Sequence, residues 1–318
     1  MHLLKKVCKI KQESIESPLY IILPYFNYCN YEKRLTLFVD FVKRYWNEQY
    51  LKFIVVEGSP RGKPFQLPSF ANNVIMHIKV EIADQVWIKE NLINIGVRYL
   101  PNDWKYMGWI DADLTFLNKN WVLDTIQLLK ETDVVQLFHT AINMGPDGEA
   151  MKIDHSFAYM SLKSGKPYHR AAKYGFWHPG FAWAIRRETY NQWGGLIDFA
   201  ILGSGDRHMA LSLVGKAEFS YHGGVHENYK KKVLEFQEKC NGMTHNYTPG
   251  TILHHFHGSL KDRQYVDRWL ILVNHKYDPQ NDIFYEKSGV LKLSITGKRM
   301  QKDILNYFEG RKEDGTTA

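Results

Sequence analysis

Two carboxylates one residue apart, Asp111 and Asp113, follow the apolar run Tyr106–Ile110. Alternate side chains of a strand point to the same side. An extended backbone through Ala112 would therefore make both acids project together. Adjacent like charges at the rim of a sheet are unfavourable unless a cation neutralises them. A divalent cation carrying a diphosphate would do so, whereas an isolated Asp-X-Asp is more often an acidic turn. Further along, His254-His255-Phe256-His257 supplies imidazoles, and His255 and His257 alternate so as to share one face. Alone they lack the third and fourth ligands of a zinc site. Sharing an ion with the Asp pair is the better use; an unliganded histidine cluster is the ordinary one. Carboxylate oxygens suit Mg2+ or Mn2+, and an imidazole shifts the choice towards Mn2+.

Asp206, just past Gly203-Ser204-Gly205, is a candidate general base. Two glycines before an acid let the backbone approach a ligand closely, although a carboxylate at a helix N-terminus is also a sufficient cap. Trp193-Gly194-Gly195 is a second tight backbone passage. Lys261, Arg263 and Arg268 are placed to reach a diphosphate, or else form a solvated helix face. Trp183 and Trp193 could stack on a sugar or base; a core role is the expectation for Trp183.

Two phosphate cradles are absent: no Gly-x-Gly-x-x-Gly follows the first strand, and no Gly-x-x-x-x-Gly-Lys-Ser/Thr occurs. That argues against a dinucleotide oxidoreductase and a P-loop ATPase. A net charge of +7 favours an anionic partner. Cys8, Cys29 and Cys240 are isolated, which fits a reducing compartment and no disulfide framework. Residues 1–17 form a basic arm without a signal peptide's apolar centre. No run approaches the roughly 20 apolar residues of a membrane span, so no transmembrane anchor and a cytoplasmic location are expected.

The elements that must position these residues alternate. Strands are expected at 19–26, 50–56, 73–80, 106–110 and 133–138, with helices after Asn30, over 85–100 and after Asn120. This order predicts an α/β, Rossmann-like, mostly parallel sheet sandwiched by helices. Ligands of such sheets sit at the carboxyl ends of strands, where Glu57 and the Asp pair both lie. The expected organisation is a nucleotide-binding half over 18–140, an acceptor and catalytic half over 141–277 of the same domain, and a helical tail over 278–318 with a charged, loose end. Residues 140–178 read as an irregular excursion with an antiparallel hairpin near 156–162. A strand over 181–186 and helices over 206–214, 228–239 and 263–275 follow, with one over 298–308 in the tail.

Taken in order, Pro24-Tyr25-Phe26 at the end of a first strand, Glu57 closing the second, a helix bearing Lys89, Asn91 and Asn94, Asp111-Ala112-Asp113, a Gly-rich stretch before Asp206 and His257 in His-x-His-Gly-Ser resemble the glycosyltransferase-A fold. The finer likeness is to family 2-type transferases of large phages and viruses. The departure is Gly205-Asp206 where that family often shows Glu-Asp or Asp-Asp. The resemblance implies a metal-dependent, inverting glycosyltransferase using a UDP-sugar, UDP-glucose foremost, with Mn2+ or Mg2+. It implies Asp113 and His257 as metal ligands, Asp111 on ribose or metal, and Asp206 as base. Pro24, Tyr25, Glu57, Lys89, Asn91, Gly195, Lys261 and Arg263 fall to the donor. The acceptor expected from charge is a hydroxymethylated pyrimidine in DNA; a glycan, lipid-linked sugar or protein is the alternative. A non-catalytic sugar- or nucleic-acid-binding protein and a metal hydrolase stand as the competing classes.

Overall fold

Continuous apolar runs become strands buried on both faces. In the computed structural model, which describes residues 17–164, 177–259 and 261–316, the first half runs β1 (Leu19–Phe26), α1 (Glu32–Tyr45), β2 (Leu51–Pro60), β3 (Val74–Ile82), α2 (Lys89–Val97), β4 (Tyr106–Ile110), β5 (Leu114–Phe116), α3 (Trp121–Leu129) and β6 (Val134–Gln136). There follow β7 (Thr140–Met144), β8 (Ala150–Ser156), α4 (Phe157–Ser164), β9 (Trp177–His178), β10 (Ala182–Arg186), α5 (Arg187–Trp193), α6 (Gly205–Leu213), α7 (Glu227–Lys239), β11 (His245–Tyr247) and β12 (Thr251–His254). The last elements are α8 (Arg268–Asn274), the hairpin β13 (Ile283–Tyr285) and β14 (Leu291–Leu293), and α9 (Gln301–Gly310). The basic arm, apart from Ser17, lies outside the described residues. None of the described helices is long and apolar enough to cross a membrane.

The main sheet has the order β11-β6-β10-β4-β1-β2-β3. Its pairings β3–β2, β2–β1, β1–β4 and β6–β11 are parallel, and β10 runs antiparallel between β4 and β6. Alternate residues of β1 feed two cores. Leu19, Ile21 and Leu23 meet Phe41 and Val42 of α1 and Trp121 and Ile126 of α3. Tyr20, Ile22 and Phe26 join the opposite core with α2, α6, α7, α8 and α9. The sheet is thus mostly parallel and covered by helices on both faces. A second sheet, β5-β12-β7-β8-β9, begins with the strand that follows the turn after β4.

Several local expectations change. The strand at Ile110 does not persist: Ala112 and Asp113 form a turn into β5. The expected hairpin at 156–162 is displaced, because 140–156 supplies β7 and β8 and 157–164 is helical. The helix expected over 263–275 is a single 3-10 turn at Lys261–Arg263 followed by α8 from Arg268. At the start of α2 the polar residues Lys89, Glu90 and Asn91 are all buried. The tail is not loose at Arg311–Asp314. Glu313 is 1% exposed, and Asp314 accepts hydrogen bonds from the backbone N–H groups of Glu32 and Lys33 at the start of α1.

α2 sits very close to the sheet because Gly96 has no side chain. A Cβ there would lie 2.6 Å from Ile22 and 2.9 Å from Val56. Gly96→Val is expected to lower unfolding stability by about 1–3 kcal/mol, the usual cost of overpacking. Denaturant titration checks this, and an unchanged midpoint would show that α2 does not pack at this distance.

Candidate active site

Lys89 opens α2, and its ammonium is buried between two carboxylates from opposite halves of the chain. Nζ lies 2.6 Å from Asp111 Oδ1 and 3.2 Å from Asp206 Oδ2. Burial alone would lower the lysine's pKa; Asp111, Asp206 and Glu90 outweigh it and raise it, so Lys89 stays charged. Asp111 is pushed up to about 6, first by burial and then by the charges of Asp113 and Asp206, with Lys89 opposing. Glu90 is pushed up to about 8 by burial and by the charge of Asp206. It accepts a hydrogen bond from Trp87 Nε1 at 3.1 Å.

Asp206 lies in the first turn of α6. The preceding glycines approach the protein's own side chains. A Cβ on Gly205 would come 2.5 Å from Glu90 Oε1, and one on Gly203 would come 3.1 Å from Arg268 Nη1. Ser204 holds a left-handed conformation with φ of 82°, its hydroxyl accepting from Arg268 Nη2 at 2.8 Å. On the other side, Gly180 leaves space beside Asp206, since a Cβ there would meet Asp206 Oδ2 at 3.2 Å.

Asp113 belongs to a second cluster. Because the chain turns at Ala112, the two acids do not share one neutraliser. Asp113 Oδ2 is 2.7 Å from His257 Nε2 and 3.6 Å from His254 Nε2. Burial would raise Asp113; His254 and His257 outweigh it and hold its carboxyl well below the usual range. Its other oxygen, Oδ1, is buried without a hydrogen-bond partner, which leaves a strong acceptor uncompensated. One ligand atom each from Asp113, His254 and His257 lies within 4.8 Å of the others. An orphaned carboxylate oxygen with two imidazoles fits a divalent cation, and the nitrogen share suits Mn2+.

His254 takes the place expected of His255. The latter bonds Thr115 Oγ1 through Nε2 at 2.8 Å. After β12 the backbone no longer alternates, so 254 and 257, not 255 and 257, converge. Asp111, expected as a further metal ligand, is turned to Lys89 and stands outside the group. Arg263 is buried, with Nη2 2.8 Å from His257 Nε2. That nitrogen cannot both donate to Asp113 and accept from Arg263. Lys261 is exposed.

Other expected donor contacts fall elsewhere. Both oxygens of Glu57 are engaged: Oε1 accepts from the backbone of Gln66 and Leu67, and Oε2 lies 2.9 Å from His77 Nε2. Tyr25 is buried and donates to Gln66 Oε1 at 2.7 Å; Pro24 is half-buried opposite Val56 in β2. Asn91 uses its amide on Asp198, Gly289 and Leu291, which fastens the β13–β14 hairpin to α2. Gly195 lets the backbone pass Asn94, which bonds both the N–H and the C=O of Leu196. Trp193, like Trp183, is core: its ring packs on Phe236. Two residues of the site carried no local signal. Glu313 Oε2 stands 3.6 Å from His257 Nδ1 and 2.9 Å from Arg34 Nη1. Arg311 donates to Glu313 at 2.6 Å and to Tyr307 at 3.0 Å.

No family model matches the chain, and no curated protein matches its sequence. Solved structures of similar architecture include a mutant of Drosophila β1,4-galactosyltransferase 7 in complex with manganese, UDP-Gal and xylobiose. That chain is 12% identical, with 90% of this chain and 98% of that one covered and a TM-score of 0.44. A mannosyltransferase from Pyrobaculum calidifontis in complex with GDP-Man and Mn2+ is 12% identical, with 93% and 70% covered and a TM-score of 0.46. Glucosyl-3-phosphoglycerate synthase from Mycobacterium tuberculosis with Mg2+ and UDP is 10% identical, with 82% and 79% covered and a TM-score of 0.38. Such identities are too low to transfer any residue's role.

The raised Glu90 gives a signed pH dependence. Between pH 4.5 and about 8 the folded chain keeps a proton that the unfolded chain releases. Stability therefore falls as pH rises through that window, by up to about 1.4 kcal/mol per pH unit. Glu90→Gln keeps an acceptor for Trp87 and has no proton to lose. Its unfolding free energy should gain on the wild type from pH 5 to pH 8, measured by denaturant titration at each pH; parallel curves would refute the assignment.

Proposed function

We propose that the chain is a metal-dependent glycosyltransferase of the glycosyltransferase-A type, moving a hexose from a UDP-sugar, UDP-glucose foremost, to an acceptor hydroxyl with inversion. The observation that carries this is the joint placement of the two clusters: Asp113, whose Oδ2 faces His254 and His257 while its buried Oδ1 is left without a partner, and Asp206 tied through Lys89 to Asp111. Asp113, His254 and His257 hold Mn2+ or Mg2+, which when bound supports the charge of the departing diphosphate. Arg263, buried with an unpartnered Nε, supplies positive charge beside His257. Asp111 takes the ribose.

Asp206 takes the acceptor's proton as that oxygen forms its bond to the sugar's anomeric carbon and the bond to the diphosphate breaks on the opposite face. Gly180 leaves the acceptor side of Asp206 open. Lys89 bridges Asp111 and Asp206 through its ammonium. The acceptor we propose is a hydroxymethylated pyrimidine in DNA, as for a phage- or virus-type enzyme of the cytoplasm; the net charge of +7 supports it.

Mn2+ with UDP-glucose should raise the melting temperature, and Asp113→Ala should remove the Mn2+-dependent part of that rise. Asp206→Asn should retain donor binding and lower kcat by about 10²–10⁴-fold, the usual worth of a general base. UDP release is measured with hydroxymethylcytosine DNA, hydroxymethyluracil DNA and oligosaccharides as acceptors. Transfer only to an oligosaccharide sinks the DNA acceptor. Donor binding without UDP release under any condition favours a binding protein, and UDP release that needs no acceptor favours a hydrolase.

A further inference from the structure

Beyond the three ligands, a chain of hydrogen bonds runs outward from His254 through the second sheet. β7 lies parallel to β12 with Asn143 directly opposite His254, and β8 lies antiparallel to β7 on its other side. Asn143 Oδ1 is 2.9 Å from His254 Nδ1. Asn143 Nδ2 is 2.9 Å from Asp154 Oδ2 and 3.4 Å from the carbonyl oxygen of Lys152. Asp154 is buried, and its other oxygen is 2.7 Å from Lys152 Nζ.

The donor and acceptor chemistry of this chain leaves one arrangement. A carboxylate and a carbonyl only accept, so the amide nitrogen of Asn143 must face Asp154 and Lys152. Its oxygen then faces His254 and can only accept, so the imidazole proton sits on Nδ1. In its neutral form the ring has one N–H, so Nε2 then presents a lone pair towards Asp113 Oδ2 at 3.6 Å. Two opposed acceptors at that separation repel unless a cation stands between them. We infer that Asn143, oriented by Asp154, is a positioning residue that fixes His254 in the tautomer able to bind a metal through Nε2. His255 has no such support. The inference rests on the metal reading of the Asp113–His254–His257 cluster, and it identifies why His254 serves there.

The metal-free protein, labelled with 15N-histidine, reports the tautomer directly in a long-range 1H–15N correlation, with His254→Gln identifying the resonance. The expected wild-type signal is a protonated Nδ1 and a bare Nε2. Asn143→Leu removes the acceptor at similar size. It should move the proton wholly or partly to Nε2 and weaken Mn2+ binding, read by titration calorimetry, by about 10–100-fold. Asp154→Ala frees the amide to turn and should act in the same direction by a smaller factor. His255→Gln should change Mn2+ affinity by no more than about twofold. An Nε2-protonated His254 in the wild type overturns the inference even if Asn143→Leu fails to fold. So does a folded Asn143→Leu with unchanged Mn2+ affinity. A wild type with the expected tautomer but no affinity for Mn2+ overturns the metal reading and the role of Asn143, while the tautomer assignment stands.

Discussion

A buried ammonium is the interaction on which the crevice depends. Asp111 follows β4, Asp206 lies in the first turn of α6 and Glu90 lies next to Lys89 on α2, so three acids converge, Glu90 buried and the two aspartates half-buried. Charges taken out of water are costly unless paired, and among the described residues Lys89 is the cation placed between the two aspartates. Helix α2 can deliver it because Gly96 lets the helix lie close on Ile22 and Val56, and because Asn91 and Asn94 fasten the helix to later segments. Glu90 completes the balance by remaining neutral, held protonated by burial and by the charge of Asp206. The sheet, the helix packing and the protonation state are therefore one arrangement, and none of the three acids would be tolerable in the absence of the other two features.

The second cluster is built by the second sheet. β5 pairs antiparallel with β12, setting His254 opposite Leu114, and the backbone N–H of His255 donates to the carbonyl of Asp113 at 2.8 Å. This ladder brings Asp113 to the histidines. The C-terminal segment then closes behind them. Gly258, with φ of 88°, lets the segment 311–313 pass within a Cβ's reach of its backbone, and Glu313 meets Arg34, Arg311 and His257. Both histidines have an outer partner: Asn143 Oδ1 faces Nδ1 of His254, and Glu313 faces the far nitrogen of His257.

What was legible in the sequence was whatever had a period or a local spacing. The strands 19–26 and 106–110 and the helices near 206–214 and 228–239 announced themselves by apolar runs and caps, and the alternation of elements gave the parallel sheet. Asp111, Asp113, Asp206 and His257 stood out because their types are unusual beside glycine and strand ends. The partner of each was not legible. The split between Asp111 and Asp113 follows from a turn at Ala112, which a two-residue period cannot foresee. His254 in place of His255 follows from where β12 stops. Glu57, Asn91 and Gly195 have the residue types of ligand contacts, yet their polar atoms or empty space are taken by Leu67, Leu291 and Asn94. Glu313 and Arg311 lie in a charged stretch whose local pattern reads as solvated, and only tertiary packing makes them interior.

The split of the acid pair also bears on how a base can work beside a cation. A carboxylate held tightly by an ammonium is stabilised as an anion and resists taking a proton. Lys89 is 2.6 Å from Asp111 but 3.2 Å from Asp206, so the closer contact falls on Asp111 and not on the acid proposed as the base. Had Asp111 turned away as Asp113 does, Lys89 would lose its nearer carboxylate and keep Asp206 at 3.2 Å. A turn at Ala112 between two aspartates sends Asp113 to the histidines and leaves Asp111 beside Lys89 and Asp206.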